Sequence, residues 1–416
     1  MSGIRLHSTH DVRFALPNGS GSDAVHGAPE YSYAVTRLVS DRAFGEGASF
    51  TIGDGNDVVA TLADRLVSSM LETESRDIEE LMSQFGTVQK RLADHPQLRW
   101  LGPHKGAIHL ALASVTNALF DLWARTRGVP LWRLLLSLSD DEVVNLLDFS
   151  WIEDCLSRSD ALRLLHGERP LRSARREVLD RGYPGYDTSV GWFGYPDDLL
   201  VENARVSVTE GFGALKLKVG SPDLDDDVRR VGLVRDTVGP GTLIMVDANQ
   251  QWRWPAAVHA CEAMADLGVY WIEEPTHPDD VLGHQKLLSL LRPKSVSLAI
   301  GEHVSNRVVF KNFMQADAVD VVQVDAMRVA GVSEFIVVSM LARQFGLSVV
   351  PHVGDMGQLH QHLVLFNHVA LGLPAEFLEY IPHLSDQFTH PAIVREGVYI
   401  TPTAPGAGMA LKKLNS

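Results

Sequence analysis

The chain has 416 residues, enough for two domains or for one barrel with a sizeable addition. With 45% hydrophobic and 21% charged residues it can bury a full core, and a net charge of −15 without a Lys/Arg run argues against a nucleic-acid partner. Two cysteines imply no disulfide framework, the first residues lack the apolar core of a signal peptide, and no stretch has about 18 continuous apolar residues. A cytoplasmic protein that spans no membrane is the expectation.

Residues 1 to 135 read as an α+β region. VRFALP and YSYAVTRLVS have strand character, and the Gly/Ser/Pro-rich segment between them predicts a loop over Gly21–Tyr31 that can fold over a ligand. Helical spacing follows over VVATLADRLVSSML, around Ile78–Phe85 and over Ile108–Thr126. From 136 to about 185 the chain is helical and charged. YDTSVGW then predicts a first barrel strand, and βα alternation runs to about residue 385. The segment 386–416, rich in Pro and Gly, is expected to return to the N-terminal region as a tail.

Polar residues punctuate the apolar strands at a regular interval. Lys216 and Lys218 lie in ALKLKVG, Asp247 in LIMVDANQ, Glu273 in YWIEEPT and Glu302 in LAIGEHV. Asp325 follows in VVQVDAM, His352 in SVVPHVG and Glu379 in EFLEYIP. From Lys218 onward they recur every 23 to 29 residues, the rhythm of a (β/α)₈ barrel, and each ends its apolar run on the face where barrels carry chemistry. The expected fold class is α/β, a modified TIM barrel with an α+β capping domain.

Asp247, Glu273 and Glu302 on three successive strands converge, and close carboxylates repel unless a cation lies between them; hard oxygen donors suit Mg²⁺. Lys216 and Lys218, two apart on one strand, point the same way. Each is expected to lower the other's proton affinity, which suits a general base. Asp325 beside His352 would fix the imidazole tautomer and make it a general acid. Glu379 would accept substrate hydroxyls, tune the base, or close a salt bridge across the barrel top. Base, acid and metal together suit a carboxylate substrate that loses its α-proton to give an ene-diolate. With a β-hydroxyl, water then departs; without one, racemisation results.

Seven segments carry a closer match: GSDAVH, LRWLGPHKGAIHLA, GYDTSVGWFGYPDD, DANQQWRWPAA, WIEEPTHPDDVLGHQ, NRVVFK and LEYIPHL. Spread from residue 21 to 384, they resemble the enolase superfamily, mandelate racemase subgroup, and within it the L-fuconate dehydratase family. The resemblance implies an N-terminal capping domain completed by the C-terminal tail, and dehydration of six-carbon acid sugars to 2-keto-3-deoxy acids. It implies that Lys218 takes the C2 proton and that His352, held by Asp325, protonates the departing C3 hydroxyl. Asp247, Glu273 and Glu302 would bind one Mg²⁺, while Lys216 and Asn249 hold the substrate carboxylate region. Gly21, Ser22, Asp23 and Tyr31 would reach the distal end of the sugar from the cap, with Val353, Gly354 and Glu379 lining the rest. A homo-oligomer is expected. The chain departs from the family pattern at His303 and Val353, in the VSDRAFGEG turn and in a shorter stretch before LEY, where substrate choice is made. A galactonate or arabinonate dehydratase, a racemase or cycloisomerase, and a non-catalytic sugar-acid-binding protein are the alternatives.

Overall fold

The computed structural model describes residues 3–17, 19–353 and 356–414. The N-terminal region is an antiparallel sheet of β1 (Ile4–Ala15), β2 (Glu30–Ser40) and β3 (Phe44–Ile52) in that order. Its inner face lies on the helix Gly106–Thr126, most of whose side chains are buried. That helix is long and apolar enough to cross a membrane by length and composition, although polar residues interrupt its apolar run. Here its apolar character serves a core: Leu112, Val115, Leu119 and Leu122 are fully buried in the same cluster as Tyr33, Val35 and Leu38 of β2. The approach to β3 is close enough to require glycine. A Cβ on Gly47 would lie 2.0 Å from the Ala118 nitrogen, and one on Gly45 would lie 2.4 Å from the Ala118 carbonyl oxygen.

Eight parallel strands form the barrel: β4 (Tyr183–Gly191), β5 (Ala214–Lys218), β6 (Leu243–Asp247), β7 (Trp271–Glu273), β8 (Ser297–Ile300), β9 (Val321–Val322), β10 (Ser348–Val349) and β11 (Leu378–Tyr380). Neighbours pair in sequence from β4 to β10, and β11 returns to pair with β4. Among the described residues no ladder joins β10 to β11. A helix follows each of β4 to β10, from Asp197–Thr209 to Leu359–Phe366.

Side-chain alternation decides where the site lies. Tyr186, Ala214, Met245, Trp271, Ala299 and Val321 pack into one buried cluster, an apolar plug inside the barrel. Two residues further along, on the same side of each chain, come Thr188, Lys216, Asp247, Glu273, Gly301 and Gln323. The polar layer therefore stands directly on the plug. Gly301 has no room for a side chain, because a Cβ there would lie 2.3 Å from the Gln323 carbonyl carbon.

The tail does return to the N-terminal region. Leu411 N–H donates to Glu46 Oε2 at 3.1 Å, Ala407 N–H to Asp121 Oδ1 at 2.6 Å, and Arg37 Nη1 to the Leu414 carbonyl at 3.1 Å. On its way it adds a hairpin, β12 (Val394–Arg395) and β13 (Val398–Tyr399), whose second strand pairs antiparallel with the start of β4. The helix expected around Ile78–Phe85 is two helices, Ile78–Ser83 and Phe85–Ala93, broken at Gln84.

Candidate active site

Lys218, Asp247 and Glu273 are the last residues of β5, β6 and β7, as their apolar runs predict. Glu302, Asp325 and His352 sit two to three residues past the ends of β8, β9 and β10, so loops rather than ladders hold them. Hydrogen bonds replace the ladder there. Met327 N–H donates to Asp325 Oδ1 at 2.7 Å, and Val353 N–H to Glu379 Oε2 at 2.9 Å.

Asp247, Glu273 and Glu302 converge with one oxygen of each within 4.8 Å of the others, all three buried. Three hard oxygen donors at this separation fit a small divalent cation with room left for water or substrate. The nearest positive charges are the two lysines. Lys216 Nζ lies 3.0 Å from both Glu273 oxygens, 2.7 Å from Glu379 Oε1 and 3.9 Å from Asp247 Oδ2. Lys218 Nζ donates to Asp247 Oδ2 at 2.5 Å. Burial and Asp247 push Glu273 up to about 7 against the pull of Lys216.

Lys216 does lower the proton affinity of Lys218, as expected, but the net shift of both lysines is upward. Burial pulls both down, and Lys216 pulls on Lys218. The carboxylates outweigh this: Glu273 and Glu379 raise Lys216, and Asp247 raises Lys218. Carboxylates outnumber ammonium groups in this layer, so the sign follows the majority charge.

His352 Nδ1 lies 2.7 Å from Asp325 Oδ2, and its Nε2 lies 3.2 Å from Glu302 Oε2. Burial lowers the imidazole's proton affinity, but Glu302 and Asp325 more than offset it and hold the ring up at about 9. Asp325 is buried, yet His360 and His352 keep its carboxyl well below the usual range. Asp325 thus holds Nδ1 and leaves Nε2 facing Glu302 and the cavity.

Above these groups lies a cavity of about 290 Å³. Lys218, Asn249, Glu302, His352 and Glu379 line its barrel side, and Gly21, Asp23 and Tyr31 line its cap side. Three of the residues expected to contact substrate do not line this cavity. Ser22 is buried, with its hydroxyl donating to the Gly19 carbonyl at 2.6 Å and accepting from Gly194 N–H at 2.8 Å; it shapes the cap loop. Val353 is buried in a core cluster with Met356 and Leu365. Lys216 lies beneath the cavity, held by Glu273 and Glu379. Gly354 lies outside the described residues.

Composition and period give no role to Arg328, His26, Trp192 or Gln250, and His303 is marked only as a departure from the family pattern, yet all five line the cavity. Arg328, three residues past Asp325, donates to the carbonyls of Glu302 at 2.7 Å and Phe50 at 3.3 Å, tying cap to barrel. His303 sets its Nε2 3.3 Å from Glu302 Oε1, and burial pushes it down to about 4. His26 is bound to Asp23, Nδ1 to Oδ2 at 3.0 Å, and Trp192 stands over Lys218. Gln250 follows Asn249, and both have left-handed backbone, φ +63° and +42°, strain that gathers at functional loops. The segments GSDAVH, GYDTSVGWFGYPDD and DANQQWRWPAA held His26, Trp192 and Gln250, but neither composition nor period marks them.

Comparison with known proteins agrees with this geometry. The family model described as enolase C-terminal domain-like matches residues 199–414. L-galactonate dehydratase of Hypocrea jecorina is 36% identical over 412 residues, covering 97% of this chain and 91% of its own length. The crystal structure of human mitochondrial enolase superfamily member 1 matches with a TM-score of 0.94 at 37% identity, over 99% of this chain and 95% of that one. L-talarate dehydratase from Polaromonas sp. JS666, solved with Mg and L-glucarate, matches with a TM-score of 0.72 at 25% identity, over 98% and 96%. By residues, fold and site, this chain belongs to the enolase superfamily.

Proposed function

We propose that the protein is a Mg²⁺-dependent dehydratase of six-carbon monoacid sugars, acting on L-galactonate or its 6-deoxy counterpart L-fuconate. The observation that carries this reading is the opening of Lys218 and His352 onto one cavity with Glu302 and Asn249 between them. The relative that is an L-galactonate dehydratase supports the configuration. L-Fuconate and L-galactonate share their C2–C5 stereochemistry and differ only at C6, which would face the cap side of the cavity, where Val25 and Ile52 lie with Asp23 and His26. A second carboxylate on the substrate would meet the Asp23 charge, which favours a monoacid.

Asp247, Glu273 and Glu302 would hold the metal. When bound, Mg²⁺ would supply positive charge against the developing ene-diolate and would offset the Asp247 charge that raises the proton affinity of Lys218. Lys218 Nζ takes the C2 proton, and the C2–H electron pair moves into a C1–C2 double bond. His352 then donates its Nε2 proton to the C3 hydroxyl; the C3–O bond breaks and water leaves. The enol so formed tautomerises to the 2-keto-3-deoxy acid. Asp325 holds Nδ1 throughout, which keeps Nε2 the donor. Base comes from the second barrel strand and acid from beyond the seventh, so the two approach the substrate from different sectors of the mouth.

The test is a screen of purified protein with Mg²⁺ against mono- and diacid sugars, trapping product with semicarbazide. Turnover of L-galactonate, L-fuconate or both is expected. Proton exchange at C2 without loss of water would move the protein to the racemases.

A further inference from the structure

One buried histidine has no part in the reaction as proposed. His360 stands on the first turn of the helix Leu359–Phe366, is 2% exposed, and does not line the cavity. Its Nε2 lies 2.9 Å from Asp325 Oδ1, the oxygen that His352 does not use. Its ring meets Phe335 edge-on at 6.2 Å, which holds the imidazole plane.

Two neighbours compete for that nitrogen. The Ala326 N–H points at His360 Nε2 from 3.0 Å. One imidazole nitrogen cannot both accept from an amide and donate to a carboxylate. If it accepts, a lone pair faces a buried carboxylate oxygen at 2.9 Å, a repulsion that low dielectric sharpens. If it donates, the buried charge gains a charge-assisted hydrogen bond, about twice as strong as the neutral one that Ala326 forgoes. The donating tautomer wins.

We infer that His360 is a positioning residue for the general acid: its Nε2–H clamps Asp325 from behind, so that Oδ2 stays aimed at His352. Met327 N–H bonds Oδ1 as well, so His360 is the second donor on that oxygen and narrows a terminal torsion that is otherwise broad. Two donors on Oδ1 and one on Oδ2 fix its plane. The His352 ring follows that plane, because Nδ1 is held by Oδ2 alone among the carboxylate oxygens.

The inference rests on the proposed reaction for its kinetic consequence only, and the test separates the two. Protein labelled with ¹⁵N-histidine is compared as wild type, His360→Leu and His360→Gln, the last keeping an N–H donor. The downfield Nδ1–H resonance of His352, identified by its loss in His352→Asn, is expected in wild type and His360→Gln and broadened by exchange in His360→Leu. This readout needs no substrate. With a sugar acid that wild type dehydrates, His360→Leu is expected to lower kcat by about tenfold or more. KM should stay within about twofold and C2 proton exchange should persist, as expected of a group that acts through another. His360→Gln should recover most of the loss. An unchanged resonance and unchanged kcat in folded His360→Leu would overturn the inference. So would equal losses in the Leu and Gln variants with KM rising in both, the mark of a merely structural histidine. If wild type dehydrates no sugar acid while the resonance behaves as expected, the reaction falls and the clamp stands.

Discussion

Lys218 and His352 divide the chemistry between them, and substitution should separate the halves. Lys218→Ala removes the only lysine that lines the cavity among the described residues, so C2 proton exchange in D₂O and dehydration should both disappear. A loss of about 10³-fold or more is expected, in the upper part of the range for a positioned base. His352→Asn keeps the base and loses the acid. Dehydration should fall by about 10²–10⁴-fold while slow exchange at C2 survives. Equal loss of both activities would show that His352 also supports proton abstraction. The residues with a charge and a period were legible from the chain: Lys218, Glu302, His352 and Glu379 line the cavity, Asp247 and Glu273 converge with Glu302, and Asp325 holds His352. Those acting through position were not. Ser22 and Val353 carry main-chain and packing duties that a motif does not distinguish from ligand contact, and Arg328 earns its place by carbonyls from two distant segments.

At the scale of the element, the barrel was legible because apolar runs lead at a regular interval into a polar residue, at the strand end on β5 to β7 and two to three residues beyond it on β8 to β10. β3 was not. FGEGASFTI contains two glycines that weaken any strand pattern, and their reason lies 70 residues away in the helix Gly106–Thr126. The glycines are there for close approach, which gives a stability test. Gly47→Ala puts a methyl 2.0 Å from the Ala118 nitrogen, so sheet and helix must separate. A loss of about 3 kcal/mol is expected, the upper end for overpacking a core. Gly232→Ala is the matched control: it lies within the helix Leu224–Val238, and its added methyl meets nothing within 4 Å. That variant should gain about 0.5–1 kcal/mol from helix propensity and unfolded-state entropy. Urea midpoints measured side by side check both. A Gly47→Ala protein as stable as wild type would mean that the sheet can slide on the helix at little cost.

The whole molecule packs several histidines away from water, and this sets its response to acid independently of the catalytic cluster. His362 is fully buried, and burial pushes it down to about 3; His109, almost as deeply placed, falls to about 4, chiefly through burial. His362 accepts the Trp132 N–H on Nδ1 at 3.3 Å, in the first turn of the helix Leu131–Ser137, so a proton there would replace a hydrogen bond with a repulsion. The unfolded chain binds these protons near pH 6.5 and the folded chain does not. Stability is therefore fully present above about pH 6.5 and declines as the pH falls toward the folded values. Each group contributes a slope of up to about 1.4 kcal/mol per pH unit in that window. Buried acids act as well: burial raises Asp227 to about 6, and that group opposes the trend by binding its proton earlier in the folded state. A single substitution isolates one histidine from the rest. His362→Gln keeps an oxygen to accept the Trp132 N–H and cannot be protonated. Between pH 6.5 and pH 5 it should lose about 1.5 kcal/mol less stability than wild type, because all other groups act equally in both proteins. Urea unfolding at the two pH values measures the difference directly. Equal losses would mean that the His362 site opens to water before it is protonated, and that acid unfolding begins elsewhere in the fold.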